Sequence, residues 1–177
     1  MPRIDSPEYF KGGTMSTLFN NKSFRDALST LSVDQQRRVA AEFVEKVLDL
    51  GDERCLDNIV GLFKNPDVGA LELSMAYRRA QTIYVETHPG SDLEELDFVH
   101  QAKHFVAEAC RTCVAPAYEN TKVCYLAQKV AMYCRMARTC SAMRHNGEEP
   151  DFSQAEKAAK RCVEEQYAVL QNFISEK

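Results

Sequence analysis

Glycine and proline are scarce in this chain, 7 and 6 among 177 residues. That scarcity excludes collagen-like and low-complexity material and argues against a barrel of many short strands, which needs such residues in its turns. No apolar run approaches the roughly 20 residues that a membrane-spanning helix requires. Catalytic signatures are missing as well: there is no glycine-rich phosphate loop, no G-x-S-x-G elbow and no H-E-x-x-H helix. The four histidines, at 88, 100, 104 and 145, single out no Ser/His/Asp set. RNP, zinc-finger and helix-turn-helix patterns are absent, and a formal charge of −4 disfavours a nucleic-acid partner. The sequence leans away from an enzyme.

What is present is a globular composition, 45% hydrophobic and 27% charged. A single domain of this size buries roughly 70% of its unfolded surface, so neither disulfide nor metal is needed to hold it. Residues 1–14 scatter their apolar side chains among Pro2, Asp5, Pro7, Glu8 and Lys11, without the apolar stretch of a secretion signal. The expected compartment is therefore the cytoplasm, with the seven cysteines as free thiols that act mainly as small core residues. Residues 1–20, which include Gly12-Gly13, are expected to form a flexible leader, and 21–177 one all-α domain.

Apolar spacing is helical almost throughout. Capping boxes are expected at Ser32–Gln35, Ser91–Glu94 and Ser153–Glu156, and stops at Gly51, Asn65-Pro66, His88-Pro89-Gly90, Pro116 and Asn146-Gly147. These signals predict helices at about 22–31, 33–50, 53–64, 67–87, 92–114, 118–145 and 154–175, a compact bundle of six to seven helices. The 118–145 helix is expected to be central. Val123, Leu126, Val130, Tyr133, Cys134 and Ala137 share one face, and Tyr125, Met132, Met136, Cys140 and Met143 widen it beyond half the circumference.

Three constellations bear chemistry. Asp97, His100, His104 and Glu108 fall within about 80° on one helical face and offer carboxylate and imidazole donors to a divalent metal. That face lies opposite the helix's own apolar stripe, so a solvated polar face is the plainer reading. Cys110-x-x-Cys113 sits at a helix C-terminal end, where the dipole raises a thiol pKa, and is expected to be structural. Arg135 and Arg138 lie on a narrow polar strip of the 118–145 helix. They either pair with an acid such as Glu119 or Asp97, or line an interhelical pocket for an anion or small molecule.

The stretch Lys103-His104-Phe105-Val106-Ala107-Glu108-Ala109 resembles all-helical immunity proteins of bacterial toxin systems. The segment Leu31-Ser32-Val33-Asp34-Gln35-Gln36-Arg37 is similar to the openings of uncharacterised bacterial all-α proteins. The first resemblance implies a toxin- or effector-binding role and brings no site residue with it. The leading expectation is a non-catalytic protein acting through protein–protein contacts, as a homodimer or as a binding partner. No cofactor is expected unless the Asp97/His100/His104 face holds a divalent metal.

Overall fold

The computed structural model describes residues 21–51, 59, 61–63, 65, 67–89, 97–116, 125–143 and 151–176. The expected leader, the Ser91–Glu94 capping box and the stops at 90 and 146–147 lie outside the described residues. Among the described residues the regular structure is entirely helical, a helical bundle without strands. Helix α1 spans Asn21–Ser29, α2 Val33–Glu45, α3 Ala70–Glu86, α4 Phe98–Val114, α5 Leu126–Ala142 and α6 Phe152–Ser175, with a 3-10 turn at Leu48–Leu50.

The helix starts follow from local hydrogen bonding. Ser32 Oγ accepts from the Gln35 N–H at 3.3 Å while Gln35 Oε1 accepts from the Ser32 N–H at 3.0 Å, the reciprocal box expected from the sequence. At the last helix the expected cap, Ser153, is displaced. The Asp151 carboxylate accepts from the N–H groups of both Ser153 and Gln154, so α6 begins at Phe152. A carboxylate also complements the positive helix end, which a hydroxyl does less well. Helix α3 begins at Ala70 rather than 67, because Asn65 Oδ1 accepts from the Asp67 N–H and Glu72 reaches back to the Gly69 N–H. Helix α4 begins at Phe98 rather than near 92, with Asp97 as its cap. The expected 33–50 helix stops at Glu45 and tightens into the 3-10 turn.

Helix α5 is the centre of the bundle, packed against α1, α2, α4, α6 and the 3-10 turn, while α3 lies on α4. Leu126, Ala127, Val130, Ala131, Cys134 and Ala137 are all buried on α5, facing Val106, Ala109, Cys110 and Cys113 of α4 within one core cluster. Small side chains on both helices permit close approach, and each buried valine or leucine stabilises the fold by roughly 1.5–3 kcal/mol. Cys110, Cys113, Cys134, Cys140 and Cys162 are all buried.

The expected width of the α5 apolar face needs correction. Tyr125, Met132 and Met136 are 43%, 45% and 37% exposed. The strip carrying Gln128, Arg135, Arg138 and Thr139 is instead half-buried.

Three buried polar residues pin the helices together. Gln36, 1% exposed, accepts from the Ala127 N–H at 3.3 Å and so satisfies a free donor at the start of α5. Arg37 donates from Nη2 to the Ala115 carbonyl at 2.7 Å, placing a cation at the negative end of α4; its Nη1 has no hydrogen-bond partner. Gln166 donates to the Ala131 carbonyl at 2.9 Å and ties α6 to α5.

Candidate functional site

The antiparallel contact of α3 and α4 positions the histidine face. Asp97 Oδ1 accepts from the His100 N–H at 3.0 Å, so this carboxylate is occupied as a helix cap. Glu108 is held in a fork by Arg111, through Nε at 3.0 Å and Nη2 at 2.8 Å, and Tyr133 lies beside the same carboxylate. The bond to Glu108 raises the Arg111 pKa, and burial with the Glu108 charge raises that of Tyr133. Arg111 completes its coordination at Gln81 Oε1 and lies over the Tyr84 ring, 4.3 Å from its centroid.

His104 is half-buried between α4 and the end of α3. Its ring stacks on Tyr84 at 4.7 Å between centroids, and Nδ1 is 3.3 Å from Thr87 Oγ1. Burial lowers its pKa, the neighbouring His88 and His100 lower it further, and Glu108 opposes them. The sequence quartet is therefore not one site. Asp97 and Glu108 are eleven residues apart, about 16 Å along a helix, which no single ion bridges. Among the described residues no group of three or more His, Cys, Asp or Glu is placed to hold a metal ion. What the fold adds is His88, whose ring centroid lies 5.3 Å from that of His104. The sequence places His88 just past the end of the expected 67–87 helix, but it does not show which helix that end meets.

Arg135 and Arg138 separate. Arg138 donates to Asp49 Oδ2 at 3.1 Å and to the Lys46 carbonyl, joining α5 to the end of α2; its described acid is Asp49 rather than Asp97, and Glu119 lies outside the described residues. It lines a groove of about 440 Å³ between α5 and α6, together with Lys157, Arg161 and Glu165. Among the described residues Arg135 has no carboxylate partner. Its Nε donates to Gln166 Oε1 at 2.6 Å, and its guanidinium carbon is 5.4 Å from the Phe24 ring centroid. Nη2 is buried without a hydrogen-bond partner, and burial lowers the pKa.

Arg135 opens instead on a second groove, about 340 Å³, between α1 and α5. Phe24, Ala131 and Met132 form its apolar wall, and Arg25 and Arg135 carry its charge. Two carboxamides complete the described lining, which contains no carboxylate. Met132 is also part of a surface stripe: Tyr125, Lys129, Met132 and Met136 fall at alternating steps of four, three and four, the seam spacing of a helix that receives another helix. Helix α5 holds Lys129, Arg135 and Arg138 and no acid.

No protein-family model, curated protein or solved structure matches the chain.

Proposed function

We propose that the chain is a non-catalytic binding protein that docks an acidic, amphipathic helix of a protein partner along α5, with one apolar side chain seated in the α1–α5 groove. The observation that carries this reading is the pairing of exposed Met132 and Met136 with an apolar, doubly cationic groove whose described lining lacks any acid. Methionine stripes adapt to the shape of a bound helix, and spacing in steps of three and four matches helix-in-groove recognition. The cations supply the sign of the partner, since an acidic helix meets complementary charge at Arg25, Lys129 and Arg135.

A second copy of the chain fits this face less well. Its own α5 would bring Lys129 and Arg135 against the same residues. A partner-binding role is also what the resemblance to immunity proteins implies, and the reading takes the chain to work in the cytoplasm, with its thiols reduced.

The test uses a fluorescein-labelled synthetic helix with leucines at heptad spacing and glutamates elsewhere, followed by anisotropy. Wild type is expected to bind it, and Met132→Glu with Arg25→Glu to weaken binding at least tenfold. Equal binding by both proteins, or none by wild type, overturns the reading. A stable dimer in light scattering that Met136→Glu dissolves assigns the stripe to a second copy instead.

A further inference from the structure

Where the end of α3 meets α4, two imidazoles have their protons already committed, His88 just beyond Thr87 and His104 on α4. Thr87 Oγ1 donates its only proton to the Ile83 carbonyl at 2.7 Å. At its 3.3 Å contact with His104 Nδ1 the hydroxyl therefore accepts, and Nδ1 carries the proton. His88 Nδ1 lies 2.9 Å from the Pro89 carbonyl, an oxygen that only accepts, so this Nδ1 is protonated as well. Both rings are thus held as the Nδ1–H tautomer, with the lone pair on Nε2.

We propose that His88 and His104 bind a borderline divalent transition ion, Zn²⁺, Ni²⁺ or Cu²⁺, through their Nε2 atoms, with water completing the coordination. Metal-binding histidines characteristically donate their other ring N–H to a carbonyl or similar acceptor, which fixes the tautomer and aims the ring. Two imidazoles bound at 2.0–2.1 Å to one tetrahedral ion have centroids about 5 Å apart, and the observed separation is 5.3 Å. Asp97 and Glu108 do not take part, being engaged by the His100 N–H and by Arg111. Thr87, which touches only His104, is a positioning residue. This site is independent of the α5 groove.

Isothermal calorimetry with ZnCl₂ and NiCl₂, in a non-coordinating buffer, tests the proposal. One ion per chain with micromolar affinity is expected, and His88→Ala and His104→Ala should each weaken it at least tenfold. His100→Ala should change it less than twofold. Thr87→Val should weaken it severalfold while leaving the melting temperature within a few degrees, a check that the fold survives. The Cu²⁺ form should show nitrogen hyperfine coupling that His88→Ala reduces. No binding by wild type overturns the proposal, as does binding that survives His88→Ala but is lost in His100→Ala, which would assign the ion to the one-turn pair on α4.

Discussion

The guanidinium of Arg135 is held by a neutral partner, the carboxamide of Gln166, with Nε donating to Oε1 at 2.6 Å. Gln166 is 1% exposed and fixed in turn by its bond to the Ala131 carbonyl. Among the described residues no carboxylate meets this cation beside the α1–α5 groove, and its orientation is set by an amide that brings no opposing charge.

Replacing Gln166 with leucine leaves the Arg135 Nε without its acceptor in a half-buried setting. The expected loss of stability is about 2 kcal/mol, typical of a broken bond to a charged group. Adding Arg135→Leu should recover part of the loss, because the two substitutions act on one interaction. Urea denaturation of the single and double variants checks this; losses that simply add contradict it.

Gln36→Leu removes the side chain that satisfies the Ala127 N–H from another helix. A loss of about 1–2 kcal/mol is expected, as for a local N-cap. Its signature is faster amide exchange confined to the first turn of α5. Unchanged exchange there would show that the bond does not hold the helix start.

The buried thiols set an alkaline limit. Burial pushes Cys113 up to about 12 and Cys162 up to about 11, and raises Cys134 well above its ordinary value. In the unfolded chain these groups ionise near pH 8.5. Each keeps its proton longer in the native state, so its contribution is fully present below the unfolded pKa and is lost as pH rises toward the folded one. Above pH 9 each is expected to remove up to about 1.4 kcal/mol per pH unit. Denaturant melts at pH 8, 9 and 10 should show this decline, with a shallower slope in Cys113→Ala. A flat profile would contradict it.

The same burial makes these five thiols inert. Iodoacetamide at pH 8 should leave Cys110, Cys113, Cys134, Cys140 and Cys162 unmodified in the native protein and alkylate them in urea, as read by peptide mass spectrometry. Rapid native labelling of Cys113 would be inconsistent with its place in the core.

Periodicity made the helices, the central position of α5 and the burial of the cysteine stripes legible, because each depends on neighbours three or four residues away. The polar pins were not legible. Gln36 meets Ala127 across 91 residues and Arg37 meets Ala115 across 78, and nothing local distinguishes them from solvated side chains. The candidate sites divide along the same line. His100 and His104 share a face by spacing alone, whereas the meeting of His88 with His104 depends on the pairing of α3 with α4. Arg135 and Arg138 are three residues apart on one helix, yet Asp49 draws one away while Gln166 holds the other. An apolar tally also misplaced Met132 and Met136, since a helical wheel shows which residues share a side but not whether another element covers it.

The docking face is tested most directly by methionine oxidation. Dilute hydrogen peroxide oxidises exposed methionines, and Met132, at 45% exposure, and Met75, at 62% exposure on α3, provide a site and a control. Saturating acidic helix should slow Met132 oxidation several-fold and leave Met75 unchanged, with the protection fading as salt is raised to 0.5 M. Equal rates at Met132 with and without the helix, at concentrations where anisotropy reports binding, would place the partner elsewhere and contradict the account.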